Sequence, residues 1–179
     1  DVIYHLGWMP PGRSGPAVMA KAVESTLHVL EAARSVGEVK VVTGLPAGAL
    51  YGEVPARELP VKEGRAFQPI GVQGAIAQTV VELLSVHRRQ HSIEFTALAL
   101  SSVYGPRQRA DVGVVAAFHA ALRAGRSPTM DGDGRQSRDF VFVDDVVDAF
   151  VRAGQRGSGL VVNIGTGVLT SIRDLWTAM

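Results

Sequence analysis

Short apolar runs alternate with amphipathic segments along the whole chain. Apolar and β-branched side chains dominate residues 2–6, 39–43, 95–100, 140–143 and 160–164. Such short runs, bounded by turn residues, predict buried strands. Between them, apolar side chains recur at helical spacing over residues 16–37, 69–91, 114–124 and 144–153, and a further helix begins at Ser171. Strands that alternate with helices predict an α/β fold with a parallel sheet and right-handed crossovers.

Turn residues interrupt this alternation in several places. Residues 7–12 form a Gly/Pro-rich turn, residues 44–68 form a long Gly/Pro-containing loop, and residues 131–134 read Asp-Gly-Asp-Gly. A loop as long as the second is usually functional in a compact domain. No internal repeat, linker or low-complexity tract divides the chain, so we expect residues 1–179 to form one unit.

Composition restricts the classes of function. The chain has 179 residues, 46% hydrophobic and 20% charged, with a formal net charge of +1 and no cysteine. These values exclude a disordered chain, a disulfide scaffold and thiolate metal sites, and they give no field that attracts nucleic acid or an anionic membrane. No apolar run reaches the roughly 18 residues of a membrane span, and residues 1–6 lack the basic end and long apolar stretch of a signal peptide. We therefore expect a cytoplasmic protein with no nucleic-acid or membrane partner.

Several local strings occur in a characteristic order. They are VIYHLG at residues 2–7, ALYGE at 49–53, SVYGPRQ at 102–108, GDGRQSRDFVFVDDVV at 132–147 and NIGTG at 163–167. Together they resemble the NAD-dependent epimerase/dehydratase family, the extended short-chain dehydrogenases that act on nucleotide sugars. The resemblance implies a Rossmann-type doubly wound parallel sheet, here partial, over about residues 1–100. It also implies a mixed sheet and a small C-terminal substrate lobe over about residues 101–179, with NAD as cofactor and a nucleotide sugar as ligand.

The phosphate-binding loop of such proteins has no counterpart in this sequence. In the family, a Gly-rich loop and an acidic ribose-binding residue precede the segment that resembles residues 2–7, and no G-x-G-x-x-G follows any predicted strand here. Residues 165–167, Gly-Thr-Gly, lack the third glycine and the strand-turn-helix context. Gly7 and His5, at the end of the first strand, are the residues that the resemblance offers for cofactor contact.

The resemblance implies a catalytic Tyr-x-x-x-Lys pair, a Ser or Thr that holds the reacting oxygen, and a supporting Asn. Alignment on the family motif places Ile70 at the Tyr position and Gly74 at the Lys position. The Ser/Thr position falls on Ala47 and the Asn position near Ala22. No Tyr or Lys occurs between Phe67 and Phe95, so a shifted alignment does not restore the pair. Loss of a general base alone costs about 10²–10⁴ in rate, so we expect impaired redox chemistry.

Other titratable residues have a structural and a functional interpretation. His5 is either a hydrogen-bonded core histidine or an acid/base group. His87 and His91 have the i,i+4 spacing of a metal pair, but no H-E-x-x-H motif is present and the adjacent arginines repel cations, so we expect a solvated helix end and no metal. Tyr51 and Tyr104 either pack or present a hydroxyl to a site. Asp144 and Asp145 open a helix, where the dipole favours carboxylates.

Three residues are candidates for binding the nucleotide sugar. Arg138 matches the family Arg that contacts the diphosphate, and a forked guanidinium suits that contact; the alternative is an ion pair with Asp139 or Asp144. Ser102 stands where the family usually has a substrate-binding Asn, and Met130 either lines a base or sugar pocket or simply packs.

Three hypotheses about function follow: an impaired epimerase/dehydratase-like binding domain, an atypical but active nucleotide-sugar enzyme, or a partial chain of such an enzyme. The first requires Arg138 and a pocket, and the second requires a titratable group that faces the pocket. The third requires a sheet edge that needs a partner. Residues 2–6 are expected to form such an edge, without a Lys, Pro or inward charge to block pairing, so we expect a homo-oligomer or another chain to cover it.

Overall fold

The computed structural model describes residues 1–7 and 15–179, so most of the predicted turn at residues 7–12 lies outside the described residues. The strands are β1 Val2–His5, β2 Lys40–Pro46, β3 Glu94–Leu100, β4 Ser102–Tyr104, β5 Ser137–Arg138, β6 Phe140–Phe142, β7 Leu160–Ile164 and β8 Thr170–Ser171. The helices are α1 Pro16–Val36, α2 Ala47–Tyr51, α3 Gly71–His91, α4 Val114–Arg123, α5 Val143–Gln155 and α6 Ile172–Ala178.

A parallel sheet with the strand order β1-β2-β3-β7 forms the centre of the fold. β3 is hydrogen-bonded on both sides, to β2 and to β7. Its side chains are buried almost throughout, as are those of β2, because helices cover both faces of the sheet. This arrangement confirms the predicted Rossmann-type doubly wound α/β class.

Alternate side chains of the strands enter two different layers. Val41, Leu45 and Phe95 belong to the large core that also contains residues of α1, α2 and α3. Val42 and Leu98 face the other way, into a smaller core with Ala153 of α5. The period of two along each strand therefore separates the α1/α3 layer from the α5 layer.

The predicted boundaries differ from the observed ones where tertiary contacts decide them. β2 continues to Pro46 instead of ending at residue 43, because its pairing with β3 extends to Leu100. The predicted loop at residues 44–68 contains α2 and a 3₁₀ turn at Ala56–Glu58. α2 is too short for a periodic signal, and it is held by burial of Leu50 and Tyr51.

Two small sheets organise the second half of the chain, and of their four strands only β6 was predicted, as the apolar run at residues 140–143. β4 pairs with β6 in parallel, and β5 pairs with β8 in antiparallel orientation. Phe118 of α4 packs edge-on against Trp176 of α6, with ring centroids 5.5 Å apart. The predicted N-cap of the last helix is confirmed, because the Ser171 hydroxyl accepts a hydrogen bond from the Asp174 amide at 3.0 Å.

β1 forms an edge of the central sheet, since β2 is its only partner among the described strands. Tyr4 packs against Phe150 of α5, yet 44% of its surface is exposed, and Leu6 is 62% exposed. Val147 and Val151 on α5 are also more than half exposed. An edge with this much apolar surface has the properties that favour pairing with a further strand.

Amide hydrogen exchange tests whether the edge is stable without a partner. In a dilute monomeric sample we expect fast exchange for Ile3 to Leu6, or protection that grows with protein concentration. The amides of β3 serve as an internal control, since β3 is paired on both sides and should be protected at every concentration. Strong protection of residues 3–6 in a demonstrated monomer would contradict the requirement for a partner.

Candidate functional site

The residues that directly follow β3 lie beside the candidate site. The Ser101 amide donates to the Ile164 carbonyl at 2.9 Å, which extends the pairing with β7 by one residue. The Ser102 amide then donates to the carbonyl of Asp139 at 2.9 Å, where β4 begins beside β6. Ser102 is therefore fixed next to the segment that carries Arg138.

A cavity of about 300 Å³ lies beside these strands. All three predicted substrate-binding residues, Ser102, Met130 and Arg138, line it. The remaining lining residues are Val103, Gln108, Gly113, Val114, Val115, Phe118, Thr129, Asp131, Gln136, Phe140 and Ile172. The structure thus brings together residues that are far apart in the sequence and offers a ligand both apolar surface and polar groups.

The guanidinium of Arg138 is available to a ligand. Its Nη1 donates only to the neighbouring Ser137 carbonyl, at 2.9 Å, and the side chain is exposed. Within residues 1–7 and 15–179, no carboxylate lies at ion-pair distance from it. The alternative of an ion pair with Asp139 or Asp144 is therefore not what the structure shows.

Asp139 instead binds the turn that follows β7. Its carboxylate accepts hydrogen bonds from the amide and hydroxyl of Thr166, at 2.9 and 2.7 Å, and from the Gly167 amide at 2.9 Å. These are the donors through which residues 165–167 would otherwise bind a phosphate. The Gly-Thr-Gly sequence therefore serves to hold a carboxylate of the protein itself.

Met130 and Gln108 also have fixed surroundings. The thioether of Met130 is half-buried and packs over Gly134, where a side chain would overlap its sulfur. The Gln108 amide donates to the Val103 carbonyl at 3.1 Å and fills space that Gly113 leaves open. Among the described residues, the side-chain carbonyl oxygen of Gln108 is buried without a hydrogen-bond partner. Gln108 was not predicted as a site residue, although it closes the string at residues 102–108.

Three of the positions that the sequence alignment places on the family's catalytic motif lie around the contact between α2 and α3. Ala47 opens α2, and Ile70, which precedes α3 and is 50% exposed, donates its amide to the Ala49 carbonyl at 2.8 Å. Gly74 is buried; a Cβ there would overlap the Ala49 carbonyl oxygen and lie 3.0 Å from the Cβ of Pro69. In this packing, position 74 has no room for a side chain.

The fourth position, Ala22, is buried on α1, and its carbonyl accepts a hydrogen bond from the Thr26 hydroxyl at 2.9 Å. The same hydroxyl lies 3.2 Å from Nε2 of His5. His5 is buried at the end of β1, and burial lowers its pKa, so the ring favours the neutral form. The core-histidine interpretation therefore agrees with the structure, and little of the side chain remains for a cofactor. Gly7 is exposed, and a Cβ there would meet no atom of the described residues within 4 Å.

Tyr51 lies on the same short helix as Ala47, and its side chain is held by packing and by a hydrogen bond. It is buried, packs edge-on against Phe67, and donates its hydroxyl to Oδ1 of Asn163 at 2.8 Å. Burial raises the pKa of Tyr51, partly opposed by that hydrogen bond, so the hydroxyl stays protonated. The packing interpretation of this residue agrees with these contacts.

The remaining features carry no recognised chemistry. The rings of His87 and His91 lie 5.6 Å apart on α3, and Nδ1 of His87 bonds the Leu83 carbonyl at 2.8 Å. In the described part of the chain, no three His, Cys, Asp or Glu side chains are grouped to hold a metal, and no helix is long and apolar enough to cross a membrane.

A second cavity, of about 550 Å³ at the amino ends of β2 and β3, contains none of the predicted site residues.

The comparisons with known proteins all point to one protein family. The profile of the NAD dependent epimerase/dehydratase family matches residues 1–165. A UDP-glucose 4-epimerase of Mycolicibacterium smegmatis is 44% identical over 160 residues, which cover 88% of this chain and 50% of that protein. A putative UDP-glucose 4-epimerase of Methanocaldococcus jannaschii is 36% identical, over 86% of this chain and 50% of that protein. This chain therefore spans about half the length of these relatives.

Solved structures match closely in shape. UDP-glucose 4-epimerase of Thermotoga maritima, solved with UDP-glucose, superposes with a TM-score of 0.87 at 30% identity, over 98% of this chain and 59% of that one. UDP-glucose 4-epimerase of Thermus thermophilus, solved with NAD, gives a TM-score of 0.81 at 31% identity, over 88% of this chain and 53% of that one.

A pair of glycine substitutions tests the packing at position 74. Ala is normally favoured over Gly inside a helix, by up to ~1 kcal/mol. At Gly74 the added methyl meets the Ala49 carbonyl, so we expect Gly74→Ala to lower the free energy of unfolding by about 1–3 kcal/mol. Gly48→Ala on α2 is the control, because its Cβ meets nothing within 4 Å and the change should be neutral or stabilising. Urea unfolding of the variants measures both; a stabilised Gly74→Ala would show that the position is open.

Proposed function

The chain belongs to the NAD dependent epimerase/dehydratase family, and from that membership we propose that it binds a nucleotide sugar in the cavity lined by Ser102, Met130 and Arg138. One observation carries the proposal: these three residues line a single cavity in which Arg138 has no acidic partner among the described residues. A guanidinium offers forked donors that match a diphosphate, and an unpaired one does not have to break an ion pair before it binds.

The cavity has the mixed character that a nucleotide sugar requires. Phe118, Phe140 and Ile172 supply apolar surface, while Ser102, Gln108 and Gln136 supply hydrogen-bonding groups. The relatives support this class of ligand. The Thermotoga maritima structure contains UDP-glucose, and a UDP-N-acetylglucosamine 4-epimerase of Methanobrevibacter ruminantium was solved with UDP-N-acetylmuramic acid.

We further propose that the family's redox step is impaired in this protein. Ala47, Ile70 and Gly74 carry no group that titrates or donates from the side chain, and the packing at Gly74 leaves no room for a lysine. The nearest aromatic hydroxyl on α2, that of Tyr51, is buried and bonded to Asn163. An atypical enzyme would need a titratable group that faces the cavity, and Asp131 is the only acidic residue among the described residues that line it.

NAD is the cofactor that the family name implies, but the residues described here fit it incompletely. Among residues 1–7 and 15–179, no atom lies within 4 Å of a Cβ placed at Gly7, and a close approach by a ligand requires such space. However, the sequence contains no G-x-G-x-x-G, and the backbone donors of residues 166 and 167 are taken by the Asp139 carboxylate. The function assigned to this chain is therefore binding of the sugar nucleotide, with the exposed β1 edge available to a second copy or another chain.

Substitution of Arg138 tests the binding site. Arg138→Ala should weaken binding of UDP about tenfold or more, because a charge-assisted hydrogen bond contributes ~1.5–3 kcal/mol, and binding to the unmodified chain should weaken with added salt. Calorimetry measures both dissociation constants. Arg135→Ala is the control, because it removes the same charge from a side chain that pairs with Asp133 at 3.2 Å and does not line the cavity. The affinity of the Arg135 variant for UDP should equal that of the unmodified chain. Equal affinities of the Arg138 variant and the unmodified chain would remove Arg138 from the site.

The impairment is best tested in a full-length relative. In the Mycolicibacterium smegmatis protein, we would replace the segment that aligns with residues 69–74 by the residues of this chain. We expect a loss of 4-epimerase activity of at least about 10²-fold, because residues 69–74 of this chain contain no side chain that can act as a general base. A graft of residues 86–91, at the far end of α3, controls for general damage to the helix. Undiminished activity of the 69–74 graft would contradict the proposed impairment.

A further inference from the structure

Asp139 directly follows Arg138 but has different partners. The backbone is extended here, so consecutive side chains point to opposite sides. Arg138 lines the cavity, whereas the Asp139 carboxylate accepts three hydrogen bonds from Thr166 and Gly167, at 2.7 to 2.9 Å. The carboxylate therefore binds the turn after β7 and does not face the cavity residues.

The main chain of Asp139 makes a second connection. Its carbonyl accepts the Ser102 amide at 2.9 Å, so one residue links the turn after β7 to the first residue of β4. The two candidate ligand-binding residues, Arg138 and Ser102, are thus held through the same residue: Arg138 as its neighbour in the chain and Ser102 by a hydrogen bond.

Gly165 makes the close approach of the carboxylate possible. A Cβ at this position would lie 2.5 Å from Oδ2 of Asp139 and would overlap the Ser101 hydroxyl oxygen. The turn therefore brings the backbone close to the carboxylate, and the Thr166 and Gly167 donors meet both of its oxygens. Charge-assisted hydrogen bonds of this kind are stronger than those between neutral groups.

β5 itself is too short to hold Arg138 in place. It consists of Ser137 and Arg138 alone, paired with Ser171 and Thr170. A ladder of this length is marginal without further contacts, and within the described part of the chain the exposed Arg138 side chain bonds only to the Ser137 carbonyl. The position of the guanidinium therefore depends on how firmly the next residue is anchored.

We propose that Asp139 is a positioning residue for ligand binding: anchored by Thr166 and Gly167, it holds the backbone at residue 138 so that the Arg138 guanidinium faces the cavity. It acts through Arg138 and does not touch the ligand. The proposal rests on the proposed function, because it concerns how the same cavity acquires its affinity for a nucleoside diphosphate.

A double-mutant cycle on UDP binding tests this role. Asp139→Asn keeps the size of the side chain but replaces one acceptor oxygen by an NH₂ group, which cannot accept a hydrogen bond from Thr166 or Gly167. We therefore expect the dissociation constant of UDP to rise about fivefold. In the Arg138→Ala background, Asp139→Asn should cause no further loss. A residue that supports the cavity only structurally would cause the same loss in both backgrounds, and that result would overturn the proposal.

Milder variants keep the test valid if Asp139→Asn does not fold. Thr166→Val removes one donor to the carboxylate, while Thr166→Ser retains the hydroxyl. We expect Thr166→Val to weaken UDP binding about twofold to threefold, again only when Arg138 is present. Thr166→Ser should bind UDP as tightly as the unmodified chain. Asp148→Asn, on the surface of α5 where the carboxylate pairs with Arg152 at 2.7 Å, is the matched control and should leave the affinity unchanged.

The possible failures are distinguishable. If the unmodified chain does not bind UDP, the proposed function fails and the positioning role fails with it. If the unmodified chain binds UDP and Arg138→Ala weakens binding, but Asp139→Asn and Thr166→Val leave the dissociation constant unchanged, the cavity binds as proposed and only the role of Asp139 is wrong.

Discussion

The two-sided pairing of β3 is the constraint on which the rest of the structure depends. β3 pairs with β2 over its whole length and with β7 from Thr96 onward. Its register determines which side chains enter the α1/α3 core and which face α5, because a slip by one residue would exchange the two faces. It also determines where the chain leaves the sheet at Ser101 and where β4 begins. The candidate cavity lies beyond that point, so its geometry follows from the pairing of the parallel strands.

Periodicity was sufficient to predict the central sheet and most helices, because their cores are built from repeated local patterns. The apolar run at residues 95–100 and the amphipathic segment at residues 69–91 correspond to β3 and α3 with shifts of one or two residues. β5 and β8 were not predicted, since a two-residue strand has no period and is created by its partner. α2 escaped prediction for the same reason: burial of Tyr51 and Leu50 holds it, not a helical repeat.

The candidate site was only partly predictable. Ser102 and Arg138 came from the resemblance of short strings and Met130 from its place just before the Asp-Gly turn, and the convergence of the three on one cavity is a tertiary fact that no local pattern contains. Asp139 was considered only as a partner for Arg138, whereas the structure directs its carboxylate to the turn after β7. Conversely, the packing at Gly74 adds to the sequence argument. A Cβ at this position would overlap the Ala49 carbonyl oxygen, so the packing leaves no space for a side chain at the position that the family motif aligns with its lysine.

The proposed binding of a nucleotide sugar in the cavity beside β4 and β5 can be observed directly by NMR. Isotope-labelled protein is titrated with UDP-glucose while amide and methyl shifts are recorded. We expect saturable shifts concentrated at Ser102, Met130 and Arg138, with no comparable change at Lys40 and Gly157, which line the cavity at the opposite end of the sheet. Shifts confined to that second cavity, or no shifts at millimolar UDP-glucose, would show that the nucleotide sugar does not bind beside β4 and β5.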